Sequence, residues 1–283
     1  MSDQIHSVNV AAQKARDYRT HIGLDATGPV PDLLRVVEDV AGVAVSVIDL
    51  PNGVSGAYTF EEGLGFAFVN LKEPVVRQRF TLAHELAHHA FEDRGVVDSE
   101  RAVFGEPTNA NERRAQTFSA EFLVPLRAVS AWVEARAASD VTLRLVVELA
   151  SYFRVSAKVA LVRLHLARLV SEAQESELSN AINRGEHLTL AKRVGIEEAP
   201  DSLSEIKSRG RPRTPARMWE YAVGGYEQGL LSVERIAQAV HSTPEEVQAL
   251  LDELGVTRRR KSTANSNAAR EATALLVFDS SSE

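Results

Sequence analysis

The stretch "RFTLAHELAHHAFE", Arg79 to Glu92, constrains this chain more than any other. It places three of the eight histidines within six residues and sets a glutamate between the first two. Leu82, Leu86 and Ala90 recur every four residues, which predicts a helix with one apolar stripe. On a helix, residues four apart share a face, so His84 and His88 point the same way and could hold one metal ion. Glu85 is turned by about 100° from His84, as 3.6 residues per turn require. It can reach a metal-activated water without ligating the metal. This is the geometry of H-E-x-x-H metallopeptidases, in which the glutamate is the general base. A chance match is the competing reading. It leaves a cluster of histidines in an apolar helix without partners, at a cost in desolvation.

A catalytic zinc takes three protein ligands and leaves one position open. His89 follows His88 directly and points off to the side. His165 lies on a later helix and stays a candidate by spacing alone. Glu112 is the better one, because it sits in the first turn of the helix "NERRAQTFSAEFLVP". A loop precedes that helix, long enough to let it cross the first. Ala115, Ser119 and Phe122 share Glu112's side. The bland reading of Glu112 is a carboxylate favoured by the helix dipole.

Composition narrows the classes. There is no cysteine, which removes disulfides, thiolate metal sites and a cysteine nucleophile, and fits a reducing compartment. The net charge of −7 argues against nucleic-acid binding by bulk charge. Hydrophobic residues are 44% and charged residues 25%, ordinary for a globular protein with a sizeable core. No apolar run spans a membrane and the N-terminus lacks a signal-peptide core, so the expected location is the cytoplasm with no membrane partner.

The expected fold class is α+β: a mainly helical domain with a small antiparallel sheet, then a helical C-terminal module. Residues 9–22 and 31–42 read as helices, 43–50 as a strand, and "SGAYTF" and "GFAFVN" as two more. "GFAFVN" could line a cleft and pair with an extended substrate, or be a core strand. Residues 97–110 read as a loop. Asn111 is the expected N-cap of the following helix. Four segments result: a domain over 1–172, a polar and basic connection over 173–217, a helix-turn-helix-like module over 218–258, and a disordered tail over 259–283.

Three stretches, "RQRFTLAHELAHH", "NERRAQTFSAEFLVP" and "YFRVSAKVALVRL", together resemble the ImmA/IrrE family of zinc metallopeptidases across roughly residues 10 to 170. The resemblance implies Zn2+ held by His84, His88 and Glu112, with Glu85 as the catalytic glutamate. It implies a partner repressor with a helix-turn-helix as substrate, in a stress, phage, mobile-element or toxin–antitoxin setting. Gln116 stands where the family commonly has asparagine, and Ala87 where it commonly has glycine.

The C-terminal third offers a different function: a non-catalytic regulator that binds DNA or a partner, with the zinc domain as scaffold. "RGRP" at Arg209–Pro212 matches an AT-hook core, so Arg209, Arg211 and Arg213 are candidate contacts to DNA, weak and salt-dependent. A solvated linker explains the run as well. The helix after the turn carries Glu245, Glu246, Asp252 and Glu253, which phosphates would repel.

Overall fold

The computed structural model describes residues 2–61, 63–93, 95–105, 109–138, 140–196, 201–240 and 242–257. The expected tail over 259–283 lies outside them. The chain opens with α1 (Ser2–His21) and α2 (Leu33–Arg35), which runs into a π-helical turn (Val36–Val40). Three strands follow, β1 (Val43–Ile48), β2 (Val54–Glu61) and β3 (Leu64–Asn70). Then come α3 (Val75–Ala90), β4 (Val96–Ser99), α4 (Glu100–Phe104) and α5 (Ala110–Leu123). The rest is helical: α6 (Leu126–Glu134), α7 (Leu143–Phe153), α8 (Ala157–Leu166), α9 (Glu172–Asn183), α10 (Glu186–Val194) and α11 (Ser202–Arg209). Beyond them lie α12 (Ala216–Glu227), α13 (Val233–Ala239) and α14 (Pro244–Glu253).

The α+β class stands, but the sheet is mixed rather than antiparallel. Its order is β1-β3-β2-β4. β2 and β3 form the expected antiparallel hairpin, with Tyr58 opposite Ala67. That hairpin inserts with β3 beside β1, so Val45 meets Ala67 in a parallel ladder. β2 thereby acts as the crossover that a parallel pair needs. β3 is flanked on both sides, which makes "GFAFVN" a core strand and leaves it no edge for a substrate. The edge beside α3 belongs to β4, which lies within the stretch read as a loop.

β1 alternates Val43, Val45 and Val47 toward the core, and every residue but Ile48 is buried. Its outer edge is partly covered. Arg213 pairs with Val47 through two backbone hydrogen bonds of 2.8 and 2.9 Å. The Arg213 guanidinium forms an ion pair with Glu38 and donates to the Val45 carbonyl at 2.6 Å. Of the three arginines considered for DNA, this one is committed within the fold. Arg209 stays exposed, 3.6 Å from Glu205.

α3 lies across the sheet and is buried from Gln78 to His88, as expected of a helix closed in on all faces. Phe118 and Phe122 stack on α5, and Tyr18 of α1 meets both rings edge-on. The hydrophobic core that starts at Ala15 runs on through Leu178 and Ile182 of α9 and Leu203 and Ile206 of α11. The boundary expected at residue 172 therefore falls inside a shared core. Asp201 at the start of α11 pairs with Arg79 of α3, both side chains nearly inaccessible. A separate core forms in α12–α14 from Ala222, Leu231, Ile236, Val240, Val247 and Leu251. No helix among the described residues is long and apolar enough to cross a membrane.

Candidate metal centre

His84, Glu85 and His88 are buried in the middle of α3. One turn into α5, Glu112 faces them. Asn109, not Asn111, caps that helix, and its side chain accepts from the Glu112 amide at 2.9 Å. The cap lies two residues earlier because the helix itself starts at Ala110. This puts Glu112 at the third helical position, where the carboxylate is also favoured by the dipole. Glu112 Oε2 lies 3.1 Å from His84 Nε2 and 4.0 Å from His88 Nε2.

A fourth group joins them that the sequence reading passed over. Asp98 of β4, buried, sets its Oδ2 3.3 Å from His88 Nε2 and 3.6 Å from His84 Nε2. One ligand atom from each of His84, His88, Asp98 and Glu112 falls within 4.8 Å of the others. A tetrahedral ion with bonds of about 2.0–2.1 Å has donor–donor edges of about 3.3–3.4 Å. These separations, 3.1 to 4.0 Å, straddle that length. Among the described residues, His88 Nε2, Asp98 Oδ2 and both oxygens of Glu85 have no well-aligned hydrogen bond. Three buried carboxylates and two imidazoles therefore converge on one small volume, with His84 and Glu112 in hydrogen-bond contact at 3.1 Å, and a cation balances the excess of negative charge. The residues fit a divalent metal.

Glu85 stands beside this cluster. Burial, then the charges of Asp98 and Glu112, pushes its carboxyl well above the usual range. β2 comes so close that a Cβ at Gly56 would lie 2.2 Å from Glu85 Oε1 and 2.5 Å from Thr81 Cγ2. Only glycine permits this approach, and a glycine inside the strand "VSGAY" was the available signal for it.

Further groups orient the donors. Asp93 Oδ2 lies 2.9 Å from His88 Nδ1, and Arg114 holds Asp93 in an ion pair. A carboxylate on the far nitrogen fixes a ligating imidazole's tautomer and ring angle. Neither Asp93 nor Arg114 was read from the sequence. Gln116 donates to the carbonyls of Ala102 at 2.6 Å and Gly105 at 3.0 Å, tying α4 to α5. Ala87 is buried in the core.

The remaining candidates lie elsewhere. His89 turns to the sheet, its Nδ1 2.8 Å from Tyr58 Oη and its ring against Phe60. His165 on α8 lies 3.0 Å from Glu175 Oε2. Of the sequence's candidates, His84, His88 and Glu112 converge, with Glu85 adjacent.

No curated protein matches the chain. The IrrE N-terminal-like domain, a peptidase family, matches residues 38–165. That span holds the whole sheet, α3 and α5, and so every residue of the centre described above. Over these residues the chain matches the IrrE N-terminal-like domain of the ImmA/IrrE peptidases.

Proposed function

We propose that the chain is a zinc-dependent endopeptidase that cuts a partner transcriptional repressor at a specific site. The observation that carries the peptidase reading is Glu85: a fully buried carboxylate beside the donor cluster and not part of it, its oxygens facing Asp98 rather than a cationic or amide partner among the described residues. A purely structural metal site has no use for such a group. Zinc suits two imidazoles and a carboxylate, and when bound supplies a Lewis acid that activates water and polarises a carbonyl. His84, His88 and Glu112 would hold it. Asp93 keeps His88 in register. Glu85 takes a proton on its free oxygens during attack and returns it to the leaving amine.

The repressor as substrate follows from the family resemblance. The DNA-binding alternative is less favoured by what the C-terminal third offers. Arg213 is committed to Glu38 and β1, and α14 begins with Glu245 and Glu246. The test is cleavage of a helix-turn-helix repressor encoded beside this gene. The full chain with zinc should yield two defined fragments, and a chelator should stop the reaction. An intact repressor after prolonged incubation with the zinc-loaded chain would reject it as the substrate.

A further inference from the structure

Glu112 and Asp98 approach the two histidines about equally. Glu112 stands 3.1 and 4.0 Å from them, Asp98 3.3 and 3.6 Å. By distance, neither carboxylate is the better ligand. Both are buried, and Asp98 Oδ2 faces the cluster with no well-aligned hydrogen bond among the described residues. Four protein donors complete a tetrahedron, which is the mark of a closed site. A catalytic zinc keeps its fourth position for water or substrate. The presence of Glu85 and the presence of Asp98 therefore point to two states of one centre.

We propose that Asp98 is the fourth ligand of the resting metal centre, a latch that must withdraw before a substrate can enter. This rests on the zinc reading given above. The position of Asp98 in the fold suits a latch. β4 has four residues and is the outer strand, hydrogen-bonded to β2 alone among the described strands. Its ladder to β2 is interrupted by a register shift between Val54 and Gly56. The neighbouring Val97 is 71% exposed, so an extended polypeptide can add to this edge and pull on the strand that bears Asp98. The segment behind it stays anchored. Ser99 caps α4, Gln116 holds the Ala102 and Gly105 carbonyls, and Phe104 packs on Phe80. Movement is thereby confined to β4. The donors on α3 and α5 keep their places.

Cobalt(II) in the full-length chain reads the coordination directly through its visible absorption, with azide as the probe for an open position. The wild-type spectrum should not respond to azide. Asp98→Ala should show a changed spectrum that shifts with azide, and should bind zinc at least about tenfold more weakly, as loss of a donor implies. Asp98→Asn keeps the side-chain volume and guards against collapse of the strand; it too should weaken zinc. Basal cleavage of an unstructured peptide by zinc-loaded Asp98→Ala should exceed that of the wild type. If the wild-type cobalt protein responds to azide as strongly as Asp98→Ala, the fourth position is already open and the latch is overturned while the metal site stands. Equal zinc affinity in all three proteins overturns it as well. A wild-type chain that takes up no cobalt or zinc overturns the latch and the peptidase reading together.

Discussion

Replacing Glu85 with glutamine should leave the fold and metal content unchanged and lower peptide cleavage by about 10²–10⁴-fold, the range that general acid–base catalysis supplies. Glutamine matches the carboxylate in size, and the fit matters here, because the β2 backbone runs so close that a Cβ at Gly56 would lie 2.2 Å from Oε1. The amide cannot accept the proton. It also removes a buried group whose ionised form is disfavoured by burial and by the charges of Asp98 and Glu112. The variant should therefore melt no lower than the wild type. Loss of activity with undiminished stability and zinc separates a base from a structural residue. Wild-type rates in zinc-loaded Glu85→Gln would mean that another group takes the proton.

The second large effect lies about a turn and a half before the histidines. Arg79 is buried on α3 and donates to the Val30 carbonyl at 2.7 Å and the Arg154 carbonyl at 3.1 Å. Its one carboxylate partner among the described residues is Asp201. Asp201→Ala strands a buried guanidinium and should cost about 3–5 kcal/mol of unfolding free energy in urea titration. A loss below about 1 kcal/mol, the scale of an exposed pair, would show that α11 does not brace α3. Ending the chain at residue 172 removes the same partner together with Leu178, Ile182, Leu203 and Ile206. Such a truncation should be less stable than one ending after α11. The pair also sets a pH dependence. Burial alone would raise the Asp201 carboxyl, but the Ser204 amide and the Arg79 guanidinium outweigh it and hold the group below its ordinary value. A depressed folded-state pKa gives stability that is present above the unfolded value, about 3.9, and is lost as the pH falls below it.

What the sequence disclosed and what it hid divide along one line. The His84, Glu85, His88 relation is set by helical periodicity, a local property that a sixteen-residue helix preserves. Glu112 was within reach for a similar reason, because the start of α5 is signalled by its own residues, although the cap proved to be Asn109. Asp98 and Asp93 carry no such signal. Each matters only because of where a short segment crosses the end of α3, and β4 is too brief to announce itself beyond the pair Val96 and Val97. The parallel pairing of β1 with β3 likewise depends on which side the hairpin inserts. The boundary at 172 rested on polar composition. In α9 that composition is the solvated face, while Leu178 and Ile182, four residues apart, turn to the core.

The zinc content of the purified full-length chain tests most directly whether the buried cluster between α3, β4 and α5 is a zinc site. Elemental analysis after dialysis to remove loosely held ions should find about one zinc per wild-type chain. His84→Ala, His88→Ala and Glu112→Ala should each fall well below that, while folded by circular dichroism. Wild-type protein that retains no more zinc than His88→Ala would contradict the account.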